Sequence, residues 1–294
     1  MPTRSYILVV NGRKVRAPVF VIGAPHSGTD LLARALKHSQ GFHFTVGQPS
    51  VLNVVYAFAR TPSIQQGRGD AAASVLRDAF AQAWQVTAES CLTCRPECQQ
   101  FRAKPAPGLC VDEAEITRYG DASPALMYCA EALTEAFPDA KIVQIIRDGR
   151  DVVAGMLSDP EELAWFRRGI ANVDSEFPNP FFGTESEEDQ AGWEKLSPAG
   201  KCAMRWRGSV TKSARLRNSL TAEQLTTFRY EQVIASPQAT AQALGDFVDA
   251  KVAKIEVPPR GKEVRNWRRL LSPGQLAEVE RIAGPQLRRI GYGA

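Results

Sequence analysis

The run Pro18-Val19-Phe20-Val21-Ile22 is apolar without alternation, which suits a central strand of a parallel sheet covered on both faces. Leu31, Leu32, Ala35 and Leu36 follow at helical spacing, and residues 50–60 and 71–88 also read as helices. Residues 5–23 as a whole read as two strands around the turn signal Asn11-Gly12, the second being the apolar run. Ser123-Pro124 opens a helix to about Phe137, and Lys141 to Ile146 is a second strand of the buried type. Asp148 to Leu157 reads as the next helix. Residues 199–219 form a basic helix carrying Trp206, Leu225 to Tyr230 a third strand, and residues 237–249 another helix. The segment 251–294 holds a basic loop and a final helix from about Ser272. Strands alternating with helices predict a three-layer α/β/α fold on a mostly parallel central sheet.

Two stretches break this rhythm. Residues 89–111 have no period and read as an insertion, and residues 173–192, rich in Asp, Glu, Asn, Pro and Gly, read as a mobile loop or lid. The 294 residues, 44% hydrophobic and 23% charged, fit one globular domain with inserted loops and exclude a disordered chain or a small disulfide scaffold. No apolar run is long enough for a transmembrane helix, and the first residues lack the apolar core of a signal peptide, so a cytoplasmic location is expected. A net charge of +4, with 32 acidic residues, permits an anionic ligand but does not suggest nucleic-acid binding.

Candidate chemistry begins at Gly23-Ala24-Pro25-His26-Ser27-Gly28-Thr29, between a strand and a helix. Glycines let the backbone approach an anion, and the free N–H groups and dipole of the helix start favour negative charge. A nucleoside-triphosphate loop needs Lys and Ser/Thr after its second glycine. Thr29 and Asp30 stand there, so an ATP-dependent kinase is disfavoured.

The loop resembles that of sulfotransferases that use 3′-phosphoadenosine 5′-phosphosulfate (PAPS), which read Gly-x-Pro-Arg/Lys-Ser-Gly-Thr-Thr followed by leucines; Gly23, Pro25, Ser27, Gly28, Thr29, Leu31 and Leu32 match. Arg147-Asp148-Gly149-Arg150-Asp151 after the second strand is similar to the family's second signal, and Arg229-Tyr230-Glu231 after the third strand to its Tyr-Glu-Asp. Arg260-Gly261-Lys262, ahead of Trp267, resembles the late basic loop. The resemblance runs from about residue 17 to 292, with the insertion matching least. It implies a P-loop-like sulfotransferase fold that moves a sulfonate from PAPS to a hydroxyl or amine of a small-molecule acceptor. It implies that the loop, Gly23 to Asp30, holds the 5′-phosphosulfate. Arg147, with Arg260 and Lys262, would hold the 3′-phosphate, and Tyr230 the adenine. Arg150 and Asp151 are expected to pair locally.

The chain departs from the family at several of these places. The serine of the 3′-phosphate site is Gly155, with Ser158 a helical turn further on. His26 replaces the loop Arg or Lys that would act at the bridging oxygen, and Gly120-Asp121-Ala122-Ser123-Pro124 lacks the family lysine. The family's Gly-Glu-Pro step reads Gly47-Gln48-Pro49. Glutamine takes no proton, so Gln48 is expected to bind the acceptor, and His43 and Asp121 remain rival general bases. These losses also allow a nucleotide-binding protein of this fold without transfer activity.

Six cysteines complete the inventory. Cys91, Cys94, Cys98 and Cys110 predict a structural zinc site in a polar surface loop, whereas Cys129 and Cys202 fall on apolar helix faces and are expected in the core.

Overall fold

Val19 and Val21 point to one face of strand β3 (Val19–Gly23) and Phe20 and Ile22 to the other, and all four are buried. The computed structural model describes residues 7–65, 70–92, 109–257 and 264–293. A short hairpin, β1 (Val9–Val10) and β2 (Arg13–Lys14), precedes β3. The main sheet adds β4 (Phe42–Thr45), β5 (Arg118–Asp121), β6 (Lys141–Ile146) and β7 (Leu225–Arg229) in the order β4-β5-β3-β6-β7, every pairing parallel.

One face carries α1 (Thr29–Lys37), with α10 (Tyr230–Ala235) and α11 (Pro237–Val248), which bury Leu32, Leu36, Val233 and Leu244 against Val19, Val21, Val143 and Ile145. The other face is larger. It takes α2 (Pro49–Arg60), α3 (Ala71–Ala83), a short α4 (Ala88–Leu92), α5 (Ala130–Ala136) and α6 (Gly149–Leu157). After these come α7 (Pro160–Ala164), α8 (Glu187–Gly192), α9 (Pro198–Ser219), α12 (Trp267–Leu270) and α13 (Pro273–Arg289). Phe20 meets Phe80, Phe137 and Trp84 there, at ring separations of 5.0, 5.4 and 6.0 Å. Each such fully buried ring contributes roughly 1.5–3 kcal/mol. Gln144, the polar residue inside β6, is satisfied by Ser213 and by the Thr227 hydroxyl at 3.1 Å. Among the described residues no helix is long and apolar enough to cross a membrane.

The chain leaves β3 toward β4 on one side, and the β6 connection leads to β7 on the other. The crevice between the carboxyl ends of β3 and β6 is therefore the switch point of the sheet, where parallel α/β sheets bind ligands.

The layers and most helices follow the predicted pattern, with local corrections. Residues 7–23 hold a separate hairpin plus β3 rather than two strands. The helix expected from Ser123-Pro124 begins later: a 3₁₀ turn, Leu126–Cys129, leads into α5, and Ala125 takes φ 62°. Asp121 Oδ1 accepts the Ser123 N–H at 2.6 Å, which fixes these residues as a turn. The segment 173–192, expected to be mobile, is anchored: Phe181 and Phe182 are fully buried, and Asn179 donates to the Arg60 carbonyl at 3.0 Å.

Of the insertion, only its two ends lie within the described residues; Cys94 and Cys98 lie outside them. Cys91 and Cys110 do not occupy a polar surface loop. Both are buried in the large core, with their Sγ atoms 3.3 Å apart. Among the described residues no three metal-ligating side chains gather, so the expected zinc site finds no support. Cys129 and Cys202 are buried as expected, and burial pushes both thiols far up, Cys202 to about 12.

Candidate active site

The loop after β3 turns tightly: Ser27 donates from its N–H to the Ala24 carbonyl at 3.1 Å, and its hydroxyl bonds the same oxygen. Gly28 caps α1 at φ 94°, and no side chain caps this helix start. Only glycine fits at 28, because a Cβ there would lie 2.5 Å from the Tyr230 ring. The N–H groups at the start of α1, beside Gly23, Pro25 and Thr29, therefore lack a side-chain cap and form a candidate anion nest. The Asp30 carboxylate is exposed and pairs with Arg34 at 2.9 Å, one turn along α1.

Arg147, at the end of β6, closes the crevice from the other side. Its Nη1 donates to the His26 carbonyl at 3.0 Å, its Nη2 lies 3.8 Å from Asp151, and its guanidinium lies 4.0 Å from the centre of the Tyr230 ring. Tyr230 therefore packs between Gly28 and Arg147 and is only 4% exposed, which leaves little of it for an adenine. Burial raises its hydroxyl pKa, with Arg147 opposing.

Arg150 and Asp151 do pair locally. Arg150 holds Asp148 through Nε at 3.0 Å and Nη2 at 2.8 Å, stacks on Trp267, and donates to the Tyr292 carbonyl at 2.9 Å. Asp151 accepts the backbone N–H groups of Arg265 and Trp267, both at 2.9 Å. Its own pKa is raised by burial, against the pull of these N–H groups and Arg147. Asp151 thereby fixes the chain just after Arg260 and Lys262, which lie outside the described residues.

His26 takes φ 59°, a backbone conformation costly for a non-glycine residue. Nε2 lies 3.2 Å from Asp159 Oδ2, and the ring rests on Gly155, where a Cβ would lie 2.8 Å from Cγ. The place of the family serine is thus filled by His26. Ser158 does not replace it, since its hydroxyl bonds the Gly155 carbonyl at 2.7 Å.

The two candidate bases sit on neighbouring strands. Asp121 is fully buried at the carboxyl end of β5 and accepts from the Thr45 hydroxyl and the Ser123 N–H, each at 2.6 Å. His43 pairs in register with Tyr119, two residues further from that edge, and meets its ring edge-on at 6.0 Å. Burial, helped by Lys37, pushes the His43 pKa down to about 3, so this imidazole is neutral. Gln48 is buried at the start of α2, its carbonyl accepting from Val51 and Leu52. Sequence reasoning missed Asp159, although Asp159-Pro160-Glu161-Glu162 is a helix-start signature.

No functionally curated protein matches the chain. Among solved structures, it is similar to a sulfotransferase from Alicyclobacillus acidocaldarius, with 16% identity, 94% of each chain covered and a TM-score of 0.49. It is also similar to the sulfotransferase domain of the Synechococcus PCC 7002 olefin synthase, with 14% identity, 92% of this chain and 94% of that one covered, and a TM-score of 0.49. Mouse sulfotransferase SULT7A1, solved with PAP, shows 12% identity over 97% of this chain and 88% of its own, with a TM-score of 0.44. The sequence model of the sulfotransferase family matches residues 18–254, the stretch that carries the nest, Arg147 and both candidate bases, and the chain belongs to that family.

Proposed function

We propose that the protein transfers a sulfonate group from PAPS to a hydroxyl or amine of a small-molecule acceptor, releasing adenosine 3′,5′-bisphosphate. The observation that carries this reading is the convergence, at one switch point, of an uncapped helix start and an arginine hooked onto the same loop. In this reading Gly23, Pro25, Ser27, Gly28 and Thr29 cradle the 5′-phosphosulfate through backbone N–H groups. Arg147, together with Arg260 and Lys262, holds the 3′-phosphate. In this reading Arg147 offers its guanidinium charge to the phosphate while its Nη1 keeps the His26 carbonyl.

Transfer breaks the bond between sulfur and the bridging phosphate oxygen and forms one from sulfur to the acceptor oxygen or nitrogen. The electron pair goes to the departing bisphosphate, and the acceptor proton goes to a base. Asp121 takes that proton rather than His43, because it lies two residues nearer the ligand edge and is a carboxylate where His43 is a weakly basic, buried imidazole. Gln48 orients the acceptor. His26 stabilises the charge developing on the bridging oxygen.

A second reading, nucleotide binding without transfer, is favoured by the turning of His26 toward Asp159. Calorimetry addresses the donor site that both readings share: adenosine 3′,5′-bisphosphate should bind and ATP with Mg²⁺ should not. Binding of ATP with Mg²⁺ in preference to the bisphosphate would refute both and favour a kinase.

A further inference from the structure

Asp159 divides its two oxygens between two tasks. Oδ1 accepts the Glu161 N–H at 2.9 Å and faces the Glu162 N–H at 3.4 Å, capping α7. Oδ2 faces His26 Nε2 at 3.2 Å. The helix that carries this carboxylate is itself held to the core, because Glu162 pairs with the fully buried Arg205 of α9. On its other side the ring of His26 rests on Gly155, and its carbonyl is gripped by Arg147. Three elements thus fix one exposed histidine in a strained backbone conformation. A surface residue with only a filling role would need none of them.

We infer that Asp159 is a positioning residue for His26, setting the tautomer that the histidine presents to the donor; this rests on the sulfonate-transfer reading above. An ionised carboxylate only accepts hydrogen bonds, so it fixes the proton of neutral His26 on Nε2. Nδ1, which makes no hydrogen bond among the described residues, is then the nitrogen left to meet the donor. When Nδ1 binds a proton to face the developing negative charge, Asp159 is the counter-charge that stabilises the imidazolium. The pair supplies jointly what a permanently charged arginine would supply alone.

The test separates the cap from the histidine. Asparagine caps helices as well as aspartate does, so Asp159→Asn should keep α7 and the unfolding temperature. With its oxygen at the helix start, its amide NH₂ replaces Oδ2 and donates to Nε2, so His26 should switch to the Nδ1–H tautomer. Nitrogen-15 NMR of histidine-labelled protein reads this directly, the His26 signal being identified by its loss in His26→Gln. We expect the Nε2–H form in the wild type and the Nδ1–H form in Asp159→Asn. We also expect kcat to fall about tenfold or more, with bisphosphate affinity changed less than about twofold. An unchanged tautomer would overturn the inference and leave Asp159 a helix cap. So would a switched tautomer with unchanged kcat. Wild-type protein that binds the bisphosphate but transfers no sulfonate would refute the transfer reading, while the tautomer switch alone would still establish the positioning contact.

Discussion

The ring of His26 lies on the bare backbone of Gly155, so close that a Cβ at 155 would sit 2.8 Å from Cγ and 3.0 Å from Nδ1. Loop and helix have therefore exchanged bulk: the residue expected to be small and polar is absent, and the histidine occupies its volume. Gly155→Ser should displace the ring. A displacement near 1 Å at a reacting centre costs on the order of a hundredfold in rate, so turnover should fall by about that much with the fold intact. Steady-state kinetics on the serine variant check this; unchanged turnover would show that the His26 ring position does not matter.

Arg147 serves the loop and the ligand at once. Its Nη1 bonds the His26 carbonyl and its Nη2 lies 3.8 Å from Asp151, while its charge is offered to the 3′-phosphate in the proposed complex. Arg147→Ala should weaken adenosine 3′,5′-bisphosphate binding by about 1.5–3 kcal/mol, the range for a charge-assisted contact. Calorimetry measures it, with adenosine 5′-phosphate as the control that should change much less.

Arg150 is predicted to matter for stability instead. It is buried against Asp148 and Trp267 and ties α6 to the end of the chain through Tyr292. Arg150→Met leaves Asp148 buried without its counter-ion, and such removals cost about 3–5 kcal/mol. Urea unfolding should show that loss. A change under 1 kcal/mol would mean that the pair is better solvated than its burial implies.

His43 makes a pH prediction. Its folded pKa is lowered to about 3 by burial and Lys37, against 6.5 for the unfolded chain. Between these values the unfolded state binds the extra proton, so stability rises with pH in this window and is lost as pH falls below about 6.5. At pH 5 the His43 contribution is a loss of about 2 kcal/mol. His43→Gln should remove that share of the acid sensitivity. Parallel unfolding curves at pH 7 and pH 5 would show it as a smaller drop for the variant.

The sheet order and the partner of His26 were the parts hardest to read from sequence. Strands β3 and β6 were legible because both faces are covered and their apolar runs are continuous. β4 and β5 were missed because His43 and Gly120 interrupt the apolar pattern, although both strands are almost wholly buried. The tight turn from β3 into α1 was legible because its glycines leave local marks. Tyr230 was assigned to a ligand, but its ring is taken up by Gly28, some two hundred residues away in the chain, and long-range packing of that kind has no local signature. The same holds for Asp159, 133 residues from His26, and for the burial of Cys91 beside Cys110.

The most direct test of the account is transfer itself. Purified protein is incubated with radiosulfur-labelled PAPS and a pool of small hydroxyl- and amine-bearing acceptors, and the products are separated from the donor. The account predicts label in an organic product together with release of adenosine 3′,5′-bisphosphate, both abolished in Asp121→Asn and strongly reduced in His26→Ala. Tight binding of the bisphosphate with no label moved to any acceptor would contradict it, and would make the protein a binder of the nucleotide rather than a transferase.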